Sequence, residues 1–243
     1  MKPFIIANWK MNPQTLGQAK ALFNSVKNGV KGIKGKEVII CPPFIYLPML
    51  KGLSLGAQNC FWEREGAYTG EISCPMLKSL CQYVLAGHSE RRKYFNEKDE
   101  INNKLKAVLD AKLIPVLCIG ETQEQRNQDK TEAVLKEQII SALDSISSSR
   151  FSSVIIAYEP VWAIGTGNPC DVEEAQKMKL LIQKIISKIY SSNVSFKTPI
   201  LYGGSVKSNN AESYVKEAGF NGLLVGGASL DAREFIKIVK QAV

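Results

Sequence analysis

The sequence has a single histidine, and its six cysteines, Cys41, Cys60, Cys74, Cys81, Cys118 and Cys170, include no C-x-x-C pair. That spacing, with one histidine, leaves no zinc-type ligand cluster and predicts buried or free thiols in a reducing compartment. No apolar run approaches the roughly 20 residues of a membrane helix. The N-terminus, Met1 to Asn8, enters a strand-like segment with no extended hydrophobic region or small-residue cleavage site. The expectation is a cytoplasmic protein with no membrane partner. Basic blocks interleaved with aromatics are also absent. Although Lys and Arg outnumber Asp and Glu by 31 to 23, the cations are dispersed through helical segments, so no nucleic-acid partner is expected. The excess positive charge instead favours encounter with a small anionic substrate. No Pro/Ser-rich linker divides the chain, and the cluster from Ser145 to Ser153 is too short to serve as one. Residues 1–243 therefore read as a single domain.

What is present is a regular alternation. Short apolar runs at Phe4 to Asn8, Val38 to Cys41, Leu55 to Gln58, Tyr83 to Gly87, Ile114 to Ile119, Val154 to Tyr158, Ile200 to Tyr202 and Gly222 to Val225 read as strands. Between them, apolar residues recur at i, i+3, i+4 over Thr15 to Val30, Asp99 to Ala111, Thr131 to Ile146, Val172 to Tyr190, Asn209 to Ala218 and Asp231 to Val239. Eight strands with intervening helices in this length match a closed (β/α)₈ barrel, the α/β class named TIM barrel, better than an open sheet.

In such a barrel the reactive groups stand at the carboxyl ends of the strands. Those ends carry Asn8 and Lys10, then His88, then Glu159, then Gly203-Gly204-Ser205 and Gly226-Gly227. Glu159 enters a loop held extended by Pro160 and loosened by Gly165 and Gly167, which fits a base beneath its own flap; a salt-bridged glutamate on an ordinary loop is the alternative. His88 is either a structural hydrogen-bonder or a neutral imidazole beside a helix whose cap is expected at Ser89. Lys10 is either a solvated cation or a fixed charge in the site. Each Gly-Gly turn is a tight turn or a phosphate cradle, and two of them at the last two strand ends favour the cradle.

The motifs NWKMN at 8–12, GHSERR at 87–92, PVLCIGE at 115–121, AYEPVWAIGTG at 157–167, YGGSV at 202–206 and LLVGGASL at 223–230 resemble the triosephosphate isomerase family, in order and along nearly the whole chain. The resemblance implies interconversion of dihydroxyacetone phosphate and glyceraldehyde 3-phosphate through an enediolate. It assigns Glu159 as the base, His88 as the electrophile that shuttles protons between the two oxygens, and Lys10 with Asn8 as oxyanion contacts. Backbone N–H groups of Gly165, Ser205, Gly226 and Gly227 would hold the phosphate. Pro160, Val161, Trp162, Ala163, Ile164, Gly165 and Thr166 form the implied lid. Ile164 and Leu224 would clamp the carboxylate and raise its basicity, Glu90 would be a polar partner of Lys10, and Cys118 would pack behind the site. No cofactor or metal is implied. The loop Gln58 to Glu71 would dock into a second subunit through Tyr68, Thr69 and Glu71, giving a homodimer.

The chain departs from the family's pattern at Ala7, where many members have Gly, and at Asn168-Pro169-Cys170 in the distal lid hinge. Pro169 removes a donor and restricts Asn168, which predicts altered lid motion with the chemistry retained. Other phosphate-handling barrels, such as a sugar-phosphate epimerase, would share the glycine turns but would not account for Asn8, Lys10, His88 and Glu159 together. A non-catalytic phosphate binder would be expected to lack one of the four.

Overall fold

The computed structural model describes residues 2–242. Eight strands, β1 (Phe4–Asn8), β2 (Glu37–Cys41), β3 (Ser54–Ala57), β4 (Tyr83–Ala86), β5 (Ile114–Ile119), β6 (Ile155–Tyr158), β7 (Ile200–Tyr202) and β8 (Gly222–Val225), close into a barrel in chain order. Every neighbouring pair is parallel, including the seam where Ile5 lies opposite Leu223 and Ala7 opposite Val225. Gly222 makes that seam possible: its φ is 146°, and a Cβ there would sit 1.9 Å from the Phe4 carbonyl oxygen.

The strands are apolar throughout because both their faces are buried. Ile6, Ile39, Leu85, Val116, Cys118, Ile155, Leu201 and Leu224 belong to one cluster, which fills the barrel. Their alternates, such as Ile5, Ala7, Ile40, Val84, Leu117 and Ile156, join the larger layer between barrel and helices. The first helix, Leu16–Val30, shows how that layer is made. Thr15 caps it by accepting the Gln18 N–H at 3.3 Å, and Ala19, Phe23, Val26 and Val30 turn inward. Burying a side chain of Phe23's size stabilises the fold by about 1.5–3 kcal/mol.

The eight expected strands all form, with ends shifted by one residue at several of them. The helix expected from Asp99 runs over Ile101–Asp110 instead, and its cap position, Glu100, makes no side-chain capping bond. Glu100 accepts the Lys98 N–H at 3.1 Å, so the local turn takes the carboxylate that would have capped. The helix expected to reach Ile146 stops at Leu143, and Ser145 then adopts φ 58°, which no helix tolerates. β3 ends before Gln58, whose amide donates to the carbonyls of Lys10 and Cys41, both at 2.8 Å. That amide ties the loop after β1 to the end of β2 at the mouth of the barrel. No helix of the described residues is long and apolar enough to cross a membrane.

Candidate active site

At the carboxyl ends of the strands lies a cavity of about 800 Å³. It is lined by Asn8, Lys10, His88, Glu159, Ile164, Gly165, Ser205, Leu224, Gly226 and Gly227, among others. Ten residues singled out from five separate regions of the sequence therefore share one space.

Glu159 is 2 % exposed, one residue past β6. Its backbone continues the ladder, the Glu159 N–H donating to the Ile119 carbonyl at 2.7 Å. One carboxylate oxygen is 3.0 Å from His88 Nε2, and the other accepts the Ser89 N–H at 3.1 Å. His88 itself is the cap of the helix Ser89–Phe95, a correction to the expectation that Ser89 would be: Nδ1 accepts the Glu90 N–H at 3.2 Å. An imidazole nitrogen reaches an orphan helix N–H as well as a hydroxyl does, and sequence preference for serine at caps gave no hint of it. With Nδ1 accepting, the proton sits on Nε2, facing Glu159.

Burial alone raises the Glu159 pKa, but the imidazole of His88, the Ser89 N–H and the charge of Lys10 outweigh it, and the net direction is down. The expected rise in basicity thus does not hold in this arrangement, because the carboxylate is paired. For His88, burial lowers the pKa while the Glu159 carboxylate, by charge and hydrogen bond, raises it, with Glu90 adding to the rise and Lys10 opposing it. The net direction is up for as long as Glu159 stays. Once the carboxylate leaves, burial, Lys10 and the Glu90 N–H aimed at Nδ1 all favour the neutral ring. Glu159→Gln is therefore expected to lower the His88 pKa relative to wild type. The chain has one histidine, so a single imidazole resonance followed against pH by NMR measures this, and a pKa that holds or rises contradicts it.

Lys10 is held from both ends. Its backbone adopts φ 54°, its N–H donates to Asn8 Oδ1 at 3.0 Å, and its ammonium lies 2.5 Å from Glu90. The left-handed backbone is stabilised by that asparagine bond and by Gln58 on the carbonyl. The backbone N–H groups of Gly165, Ser205 and Gly226 donate to no other residue among those described. Gly226 lies close under Lys10, since a Cβ on it would come within 3.3 Å of the lysine Cε. A dianion seated on the turns thus meets free N–H donors and a nearby cation.

The segment from Pro160 to Thr166 rims the cavity. Trp162 donates to Glu121 at 2.8 Å, with the Arg126 guanidinium 4.6 Å from its ring centre. Glu121 is fully buried, also accepts the Tyr158 hydroxyl, and burial raises its pKa against those bonds. Ser205 Oγ donates to the Ala163 carbonyl at 2.6 Å. Gly165 and Gly167 take φ 71° and 76° and are exposed. At the distal end, the Cys170 N–H donates to the Tyr202 hydroxyl at 3.1 Å and its carbonyl accepts from Tyr214. The segment is pinned at both ends and open in the middle. Ile164 is partly buried and lines the same cavity as Glu159.

Cys118 and Leu224 sit in the barrel interior behind Glu159. Tyr68, Thr69 and Glu71 are exposed and do not line the cavity. Several supporting residues had no sequence signal. Glu97 and Lys104, both nearly fully buried, pair at 2.6 Å; Glu97 also takes Arg91 at 2.5 Å and the Gly87 N–H at 3.2 Å, while Lys104 donates to Asn59 at 2.9 Å. Burial raises the Glu97 pKa, but the two cations reverse the direction and keep it ionised. Arg92 donates to the carbonyls of Gly87 and Cys118 at 2.7 and 3.0 Å, fastening the ends of β4 and β5.

A family model described as triosephosphate isomerase matches residues 3–242. Curated proteins bearing that name are similar along their full lengths. The one from Dictyoglomus turgidum is 47% identical, covering 98% of this chain and 99% of its own. One from Dehalococcoides mccartyi is 46% identical, over 100% and 97%. That of Alkaliphilus oremlandii is 44% identical, over 98% of each.

Proposed function

The chain belongs to the triosephosphate isomerase family, and from that premise we propose how its residues carry out the reaction. The reaction is the interconversion of dihydroxyacetone phosphate and glyceraldehyde 3-phosphate. The free donors of the glycine turns hold the phosphate, and Lys10 and Asn8 face the carbonyl end. Glu159 leaves His88 and Ser89, takes the proton from the carbon beside the carbonyl, and returns it to the neighbouring carbon. His88, now neutral, donates from Nε2 to the oxygen on which charge develops and moves protons between the two oxygens. Closure of the Pro160 to Thr166 lid breaks the Ser205–Ala163 bond and brings Ile164 toward the carboxylate, which is already buried and becomes more basic once it leaves His88 and the Ser89 N–H. Sealing also protects the enediolate, which in water would expel its phosphate.

The observation that carries this reading is the 3.0 Å contact between Glu159 and His88 in a cavity that Lys10 and the glycine turns also line. Base, electrophile and anion site thus open onto one cavity. A coupled assay of glyceraldehyde 3-phosphate isomerisation by the purified protein in excess chelator tests it: sustained turnover is expected, and folded protein without turnover contradicts it.

The working form is a homodimer in the same proposal. Met11, Ile45, Tyr68, Tyr94 and Phe95 are exposed, and they sit on the segments, partly helical, that follow the adjacent strands β1 to β4. One sector of the rim therefore presents apolar side chains that a soluble monomer would rarely leave open. Within the loop the Phe61 ring packs, tilted, against Trp62 and Tyr68 with ring centres 4.1 and 4.7 Å apart, so the loop is preshaped to insert. Thr69→Arg is expected to convert the dimer to monomer in sedimentation-velocity runs, with loss of activity. A monomeric wild type, or a variant that stays dimeric and active, contradicts the assignment.

A further inference from the structure

Gly120 follows β5 directly and lies against the backbone of Glu159: a Cβ on it would be 1.8 Å from the Glu159 carbonyl oxygen and 2.6 Å from the carbonyl carbon. On either side of it the chain is bonded across to the base's own segment, Ile119 O accepting from Glu159 N–H at 2.7 Å and Glu121 O accepting from Val161 N–H at 3.0 Å. By strand alternation, the polar groups of Gly120 face the other way. There β4 has already ended at Ala86, and Gly87, at φ 72°, turns the chain toward the helix Ser89–Phe95. No strand is left to pair with Gly120.

The partner is a side chain. Gln138 Oε1 accepts the Gly120 N–H at 2.9 Å, and Gln138 Nε2 donates to the Gly120 carbonyl at 3.0 Å. An amide presents one acceptor and one donor in the pattern of a peptide group, so the side chain replaces the missing strand neighbour on both atoms. Its origin is fixed as well, because Leu135, Ile139 and Ala142 bury the helix Thr131–Leu143 against the barrel. We propose that Gln138 is a positioning residue for the isomerisation: by clamping Gly120 it sets the backbone from which the Glu159 carboxylate swings between His88 and substrate. It touches neither substrate nor carboxylate. The inference rests on Glu159 being the base.

Gln138→Met keeps the length and removes both bonds. Displacing a reacting group by about 1 Å costs on the order of 10²-fold in rate, so kcat should fall roughly 10- to 100-fold. KM and the inhibition constant of inorganic phosphate should stay within about twofold, because the anion site on the glycine turns is not attached to Gly120. Gln138→Glu gives a second readout. Its ionised form cannot donate to the Gly120 carbonyl, whereas the protonated acid offers the same donor and acceptor as the amide; its kcat relative to wild type should recover as pH is lowered. Glu137→Met, on the same helix and exposed, serves as the control with wild-type kcat. Wild-type kcat in Gln138→Met overturns the proposal, as does a loss of kcat matched by an equal loss of phosphate affinity. Should Gln138→Met not fold, the pH profile of Gln138→Glu decides, and a profile parallel to wild type overturns the proposal. Glu159→Gln measured alongside separates the two readings. If it stays active, the base assignment has failed; if it is inactive while Gln138→Met is normal, only the role of Gln138 has.

Discussion

Glu159→Asp is expected to lower kcat by roughly 10²- to 10⁴-fold with little change in KM. Removing one methylene withdraws the carboxylate by about 1.5 Å, and the backbone cannot follow. It is held on the β5 side by the bond to Ile119 and the contact with Gly120, and on the β7 side by Gly203, whose N–H donates to the Tyr158 carbonyl at 2.8 Å. The anion contacts are untouched, since Ser205, Gly226 and Gly227 stand on the turns after other strands, so the loss falls on the transition state and not on binding. The aspartate also cannot span to His88 and the Ser89 N–H at once, which leaves a buried donor unsatisfied. Steady-state kinetics with circular dichroism on the same sample decide the matter. A folded variant with kcat within about threefold of wild type would mean that the carboxylate's position is not critical, contrary to the requirement that the base sit within hydrogen-bond reach of its proton.

His88→Gln is expected to cost about 10²- to 10³-fold in kcat, the loss typical of removing one donor to a developing oxyanion. Glutamine retains an N–H but not the ring geometry in which Nδ1 accepts the Glu90 N–H while Nε2 points into the cavity. Two effects are therefore superimposed, and they separate experimentally. Loss of the cap destabilises the protein by about 0.5–2 kcal/mol and appears as a lower melting temperature; loss of the electrophile appears in kcat alone. A variant with a lowered melting temperature and wild-type kcat would reduce His88 to a helix cap.

The barrel was legible in the sequence because strands buried on both faces must be apolar from end to end, as Val116 to Ile119 and Leu223 to Val225 are. Glu159, His88 and Lys10 were legible for the complementary reason: a polar residue directly after such a run has little cause to be there unless it works at the strand end. The supporting residues carried no such mark. Lys104 occupies a position in an amphipathic helix that any solvated lysine could hold, and only the approach of Glu97 and Asn59 in space makes it a buried cation. Gln138 likewise reads as a surface residue until Gly120, eighteen positions earlier, is found without a strand partner. The direction of the Glu159 pKa shift was hidden too, because it depends on whether the carboxylate rests on His88 or under the lid. Sequence pattern reports which residues are buried along an element. It does not report which partner a buried polar group finds across elements.

Proton abstraction by Glu159 is the central step, and the most direct test is isomerisation of glyceraldehyde 3-phosphate in deuterium oxide with the product analysed by mass spectrometry and NMR. A carboxylate that holds the proton between two carbons exchanges it with solvent for part of that time. The predicted result is deuterium at the carbon that receives the proton, with both turnover and labelling lost in Glu159→Gln. Product formed at the wild-type rate with no deuterium would point to direct hydride transfer between the carbons and contradict the role given to Glu159.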